Sequence, residues 1–367
     1  SLIATRTIEP GTIIEESMMT TKSPGKGLQP NRKKELVGRT AKRSFRPGDF
    51  FFESDIAPEA VQARPYSFKR PWGLPVRFHD YQSLLSQSNP DLLEFHLSYK
   101  DLDLDWRQYI TEPLDLGLSV HSPEVFEGDH LLNLAEEDGE THQRSLKELQ
   151  RVIDLARALN PFFKKAERPF IIVNVGGFTK EGTASREERE RGYERVAESL
   201  SMLDTDGVEI LPQTMPPFPW LFGGQLFHNL FVTAEDTVEF CRRHHMRTCL
   251  DVSHSKLACN NAHSSFTQFI KTVAPFAAHL HIADAMGVDG EGPQVGEGEI
   301  DFVSLAEILE SEAPHASFIP ETWQGHKNDG EGFWVALDRL EEWFGVMPRA
   351  SVQKAAKTPI SQPSLQT

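Results

Sequence analysis

The sequence predicts an α/β protein, a (β/α)8 TIM barrel preceded by a small β-rich domain. Two observations carry this expectation. Strand-sized apolar segments recur eight times between residues 72 and 346, with helical patterns between most of them, an alternation that suits a closed parallel barrel better than a doubly wound sheet. Ahead of them, short apolar runs are cut by Glu9-Pro10-Gly11, Ser23-Pro24-Gly25-Lys26-Gly27 and Arg46-Pro47-Gly48. Such Pro-Gly signals favour short strands and turns over helices.

The first module, 1–56, is the basic end of the chain, with Lys and Arg gathered from Lys22 to Arg46. Its order of signals is specific. Thr12-Ile13-Ile14-Glu15-Glu16 is followed by Thr20-Thr21-Lys22-Ser23-Pro24-Gly25-Lys26-Gly27, then by Asn31-Arg32 with Glu35-Leu36-Val37-Gly38-Arg39, and finally by Arg46-Pro47-Gly48-Asp49-Phe50. This order resembles the SAF, or antifreeze-like, domain that ends sialic acid synthases. The resemblance implies a β-clip module leaning over the active site of a partner subunit, with an arginine before the Pro-Gly turn reaching the sugar. At that arginine's place this sequence has Ser23, with Lys22, Lys26 and Arg32 nearby.

Residues 57–71, rich in Pro, Ala and Arg, read as a linker. The barrel strands then follow as Leu74–Asp80, Leu92–Ser98, Leu116–Ser122, Phe170–Gly176, Gly207–Gln213, Arg247–His254, Ala278–Asp284 and Ser317–Thr322. Helices are expected over His142–Asn160, Arg186–Leu203, Thr233–His245, Ala262–Phe276, Phe302–Ser311 and Gly332–Phe344, from apolar residues at helical spacing. Connections after the first two strands are short and irregular. The end of the chain, 347–367, lacks periodicity and is expected to be a disordered tail.

In such a barrel the active site assembles at the C-terminal ends of the strands. Polar residues read there are Arg77, His79, Glu94, His96, His121, Asn174, Glu209, Asp251, His254, His279, His281, Asp284 and Glu321. So many acids and imidazoles in one mouth are costly without a partner. Glu209, Asp251, His281 and Glu321, one from each of the fifth to eighth strands, are the expected ligands of a divalent metal. An oxygen-rich set with one nitrogen suits Mn²⁺ best, with Mg²⁺, Co²⁺ or Zn²⁺ as alternatives. His121 is a candidate substrate contact, Lys100 and Asp101 read as a solvated turn, and the aromatic run Pro216–Gln225 reads either as a lid or as a packed loop. His244 and His245 close a helix at the end where cations suit its dipole, and carry no expected function.

The same segments resemble the xylose-isomerase-like barrels, a superfamily of sugar phosphate isomerases and epimerases with an AP-endonuclease branch. The motifs are Gly207-Val208-Glu209-Ile210, Leu250-Asp251-Val252-Ser253-His254, His279-Leu280-His281-Ile282-Ala283-Asp284, Gly296-Glu297-Gly298-Glu299-Ile300-Asp301-Phe302 and Ile319-Pro320-Glu321. The resemblance implies that Glu209, Asp251, His281 and Glu321 hold the metal and that His254 contacts substrate. It also implies that the loop bearing Glu297 closes over the substrate, and that Glu209 and Glu321 form an acid/base pair on opposite faces of the substrate carbon, acting through an enediolate. Which of the two removes the proton stays open.

Composition bounds the function. The chain of 367 residues carries 38 basic and 54 acidic residues and a net charge of -16, which disfavours nucleic acid and anionic membranes as partners. With 3 cysteines and no Cys-x-x-Cys pair, a disulfide framework is not expected and a reducing cytoplasm is. Cys249 and Cys259, which flank a strand end and the turn beyond it, read as buried apolar groups. Apolar runs are far shorter than the roughly 20 residues of a membrane span. The expected function is a metal-dependent sugar or sugar-phosphate isomerase/epimerase. The expected setting is a homo-oligomer and the C-terminal part of a longer sialic-acid-synthase-like protein with an upstream synthase domain. The alternatives are an AP-endonuclease-like phosphodiesterase and a non-catalytic substrate-covering module.

Overall fold

The computed structural model describes residues 1–23, 27–57, 61–221 and 224–345. The expected tail 347–367 and Lys26 lie outside the described residues. In the N-terminal module, Leu2–Ala4 pairs antiparallel with Met19–Thr21, and bridges join Ile3 to Phe50, Ile8 to Phe45 and Ile13 to Thr40. Two of the three expected Pro-Gly turns are made by Gly11 and Gly48 at φ of 87° and 95°, a left-handed conformation in which a side chain is strained; Pro24-Gly25 lies outside the described residues. Leu2, Ile8, Ile14, Leu36, Phe45 and Phe51 form a core separate from that of the barrel. Arg43 forks onto both carboxylate oxygens of buried Asp55 at 3.0 and 3.1 Å, and its guanidinium stacks 4.1 Å above the Phe45 ring. Packing and charge therefore clamp the same corner.

The eight barrel strands are Gly73–Val76, Leu92–His96, Gly117–His121, Phe170–Val173, Glu209–Pro212, Thr248–Asp251, Ala277–Ile282 and Ser317–Pro320. The first five form one parallel run and the last three another. Parallel bridges between Gln213 and Cys249, and between Trp72 and Phe318, close the ring. Alternation along the strands sorts the side chains. Leu93 and Phe95 join the large core, while Glu94 between them faces the interior of the ring with no exposure.

Helices cover the outside where their patterns were read: Gly139–Leu159, Arg186–Ser201, Ala234–His244, Phe266–Val273, Phe302–Glu312 and Lys327–Phe344. Only the short helix Tyr81–Leu85 follows the first strand, and single 3-10 turns follow the second. One element differs from expectation. The residues after Asp251 form not a turn but the helix Val252–Ala262, because the Asp251 carboxylate caps it by accepting from the His254 N–H at 2.8 Å. Cys241, Cys249 and Cys259 are buried free thiols, and Cys259 lies within that helix. No helix among the described residues is long and apolar enough to cross a membrane.

Phe318 is fully buried on the strand that closes the ring, edge-on to Phe68 at 4.9 Å. Phe318→Ala should cost about 3–5 kcal/mol, read as a lowered denaturation midpoint. His228 supplies a pH test. Its Nδ1 faces the Pro216 carbonyl at 3.0 Å, its Nε2 accepts from the Asn174 amide at 3.3 Å, and burial lowers its pKa to about 3. Below pH about 6.5 the unfolded chain takes a proton that the folded chain refuses, so stability falls as pH drops. In His228→Asn, the loss between pH 6 and 4 should be shallower by about 1.4 kcal/mol per pH unit in denaturant titrations.

Candidate active site

Parallel register carries the second, third, fifth, sixth, seventh and eighth strands to one mouth. There the structure gathers His96, His121, Gln213, Asp251, His281 and Glu321. Asp251 pairs with His281 in register, and His281 with Ile319 two residues before Glu321. His281 Nδ1 stands 2.7 Å from Glu321 Oε2 and 3.9 Å from Asp251 Oδ2. Gln213 reaches between them. Its amide nitrogen donates to Asp251 Oδ2 at 3.1 Å and lies 3.0 Å from His281 Nδ1, and its oxygen lies 3.2 Å from His121 Nε2. The rings of His121 and His96 stack at 4.8 Å. A cleft of about 390 Å³ opens above, walled by Arg77, His96, Asp251, Glu291, Glu321 and Trp323 among others.

Beneath the mouth lies a second layer. Glu94 accepts from the Ser119 hydroxyl at 2.8 Å and lies within 3.0 Å of His96 Nε2, His279 Nε2 and His281 Nε2. Burial pushes the Glu94 carboxyl up, but His281 and His279 pull it further down, and it is held well below the usual range. Sequence reading noted Glu94, His96 and His279 at strand ends without assigning them a role.

The remaining charges follow from burial and neighbours. Asp251 is raised to about 6, because burial and the Glu321 charge outweigh the imidazole of His254. Burial opposes the charge on His254, yet Asp251 and Glu291 raise it to about 10. That agrees with its geometry: Nδ1 faces the Thr214 carbonyl at 2.9 Å and Nε2 the Glu291 carboxylate at 3.1 Å, both acceptors. Burial keeps His96 near 4. Burial also raises Glu321, but His281, His96 and His121 overcome it and keep the carboxylate ionised.

Two expected site residues lie elsewhere. Glu209 opens its strand instead of ending it, pairs in register with Phe170 at the start of the neighbouring strand, and forms a two-pronged ion pair with Arg247 at 2.7 and 2.8 Å. It therefore sits at the opposite end of the barrel from Asp251, His281 and Glu321, and neither a ligand nor a catalytic role there is open to it. Gln213 occupies the position in the mouth. The signal was available, since Asp251, His281 and Glu321 lie at or next to the C-terminal ends of their strands while Glu209 precedes Ile210 and Leu211. Glu297 does not line the mouth either. It pairs with Arg339 at 3.0 Å in an adjoining cleft of about 490 Å³, whose other wall is built by Gln29, Arg32, Phe52 and Glu53 of the N-terminal module. The reason is Asp284, fully buried, which accepts from the backbone N–H groups of Gly296, Gly298 and Ile300 and pins the loop. A Cβ on Gly298 would stand 2.4 Å from Asp284 Oδ1, so this approach requires glycine.

Of the lesser candidates, Asn174 is spent on Glu124, His228 and the Gly176 N–H, and His79 is exposed beside Asp80. Asp101 caps its own turn by accepting from Ser98, and His245 ends its helix in the left-handed conformation at φ 54°. In the aromatic run, Trp220–Leu221 pairs with Gly224–Gln225, while 222–223 lie outside the described residues.

The donor set fits a divalent cation. Ligand atoms of His121, His281 and Glu321 lie within 4.8 Å of one another, and Asp251 adds a carboxylate beside them. The buried Nε2 atoms of His96 and His281 and Oε1 of Glu94, although close, are not aligned as hydrogen bonds. A carboxylate behind the far nitrogen of an imidazole is the arrangement that orients a metal-binding histidine.

Comparison with known proteins follows the same division of the chain. Residues 84–343 match the xylose isomerase-like TIM barrel family, and residues 1–57 match the SAF domain. A Methanocaldococcus jannaschii protein of uncharacterised function is 24% identical over 123 residues, which cover 33% of this chain and 39% of that relative's length. The solved structure of a 3-keto-D-glucoside 4-epimerase from E. coli is similar with a TM-score of 0.51 and 16% identity, over 75% of this chain and 99% of the other. An L-ribulose 3-epimerase is similar at 0.50 and 15%, over 76% and 92%, and a D-psicose 3-epimerase at 0.51 and 14%, over 75% and 99%. At such identities the likeness is one of fold. With the family match running over most of its length and ending at the strand that carries Glu321 and the helix after it, the chain belongs to the xylose isomerase-like TIM-barrel family and bears a SAF domain ahead of its barrel.

Proposed function

We propose that the barrel is a divalent-metal-dependent sugar isomerase whose proton-transfer base is Glu321. The observation that carries this reading is the meeting of Asp251, His281 and Glu321, from three consecutive strands, within 4 Å of the His281 Nδ1 atom at the floor of a cleft. Those three residues would hold the cation, with Gln213 beside them. When bound, it would act as a Lewis acid toward the substrate's adjacent oxygens.

The rest follows from the chain's own groups. Glu321 is ionised and lines the cleft, as a base removing a weakly acidic C–H proton must be. Gln213 holds no exchangeable acid proton, so the pair of carboxylates on opposite faces that the resemblance implied is absent from this mouth. It can donate a hydrogen bond to oxygen charge developing in an enediolate. A single carboxylate returns the proton to the face it came from, which moves a carbonyl between neighbouring carbons and does not invert a centre. The fold neighbours, named as sugar epimerases, support a sugar as substrate. The SAF module supports a setting in sialic-acid-type biosynthesis, where an isomerase would prepare the sugar that a synthase condenses.

One observation favours a second reading. The imidazoles of His96, His121 and His254 exceed what a single cation needs, as a multinuclear phosphodiesterase would require. Incision of an abasic duplex tests it, against a net charge of -16 that opposes DNA.

With Mn²⁺ and a panel of aldoses and ketoses in D₂O, the wild type should incorporate solvent deuterium beside the carbonyl. Glu321→Gln should slow this by at least about 100-fold. Glu209→Gln should leave it within about two-fold while costing roughly 0.5–1 kcal/mol of stability from its surface pair; an equal collapse in both variants would overturn the assignment. Gln213→Glu should bind Mn²⁺ more tightly in a competition titration and should add a product inverted at the exchanging carbon, seen by NMR.

A further inference from the structure

Resting on that reading of the cleft, we propose that Arg77, at the C-terminal end of the first barrel strand, forms a subsite for a terminal anionic group of the substrate, a phosphate or a carboxylate. Arg77 walls the same cleft as Glu321 and His96, and its strand adjoins the one that ends before Glu321 through the Trp72–Phe318 bridge. Its backbone N–H donates to Asp80 Oδ1 at 2.7 Å. The guanidinium itself makes one long hydrogen bond, 3.3 Å, to the carbonyl of Val76. Among the described residues no carboxylate lies within ion-pair distance of it.

Other shielded arginines are provided for. Arg43 forks onto Asp55, Arg64 bridges Asp338 and Glu341, Arg189 meets Asp236, and buried Arg70 donates to the carbonyls of Ala313 and Ala316. Arg77 has comparable shielding without comparable partners, and burial pushes its pKa down. Five N–H donors on a planar fork, mostly unspent and half-withdrawn from water, match a phosphate or carboxylate in two-pronged geometry. The acids whose charge reaches it are Asp80, Asp101, Glu321 and Glu94, and each is otherwise engaged. Asp80 is taken by the Arg77 backbone, with its other oxygen 3.8 Å from His79, Asp101 accepts from Ser98, Glu321 is held by His281, and Glu94 by His279, His281 and Ser119, while Glu291 across the cleft is held by His254. His79 and His326 line the same rim and add donors. A sugar anchored here by its charged end would extend along the cleft with its carbonyl end toward Glu321 and Gln213.

The test uses the full chain. Inorganic phosphate titrated calorimetrically should bind the wild type, and Arg77→Met should weaken it by about 10- to 100-fold, with Arg77→Lys in between. Deuterium exchange is then compared for a hexose 6-phosphate, a hexuronate and the unmodified hexose, separating phosphate from carboxylate as the natural group. The fall in kcat/KM caused by Arg77→Met should be at least about ten-fold larger on the preferred anionic sugar than on the neutral one. Equal losses on charged and neutral sugars, or phosphate binding unaltered in both variants, would sink the subsite. Absence of exchange with every sugar would count against the isomerase reading alone, since phosphate binding still decides the role of Arg77. Arg77→Lys serves where Arg77→Met fails to fold.

Discussion

A carboxylate sealed from water must be compensated by donors or positive charge, and Glu94 draws three imidazoles and one hydroxyl to itself inside the barrel. Much of the mouth depends on this. His281 turns its Nε2 toward Glu94 and so leaves Nδ1 facing Asp251 and Glu321. His96 is held by the same carboxylate from the side, which sets its ring against that of His121. A ligand atom chosen by a buried neighbour is a rigid one, and rigidity is what a site of three convergent side chains needs. The cost of burying Glu94 is thus tied to the geometry of the layer above it.

How much of this was legible in the sequence depended on whether a feature was periodic or relational. The eight strands announced themselves through apolar runs and turn signals, and Asp251, His281 and Glu321 could be read because each lies at or near the C-terminal end of its strand. Glu209 is misleading because a carboxylate in a strand segment says nothing of the barrel's mouth until its end of the apolar run is known. A shift of four residues along a strand crosses the barrel from mouth to base. Gln213 is not legible as a site residue, because an amide carries no such signal until its neighbours are known. The Glu94 layer was out of reach in another way, since its partners come from the second, third and seventh strands and only register brings them together.

The SAF module gains a role from its position. It walls a cleft that shares Glu291, Gly292, Thr322, Trp323 and Gln324 with the cleft over Glu321. Trp323 stands between the two, 65% exposed, its backbone N–H donating to the Gly292 carbonyl at 2.8 Å. Loop 293–300, pinned by Asp284, carries Glu297 to the side facing the module. The segment expected to close over a substrate is therefore fixed from within the barrel and packed toward the module. The rim of the cleft over the mouth is built on the other side by Arg77 and Trp323 among others.

Charge balance links Gln213 to Arg77. In the proposed site two carboxylates, Asp251 and Glu321, would neutralise one divalent cation, whereas a third at position 213 would leave the floor of the cleft net negative in a low-dielectric setting. A negative floor would repel a phosphate or carboxylate entering the same cleft, in a molecule whose overall charge is already -16. An amide at 213 removes that penalty and keeps a hydrogen-bond donor for the substrate oxygen. On the same reading, the site would give up the second proton carrier, and with it the ability to work on both faces of a carbon. On the proposed reading, neutral Gln213 at the floor and the sparsely bonded Arg77 at the rim would be two parts of one adaptation, in which two-faced chemistry is exchanged for tolerance of an anionic sugar.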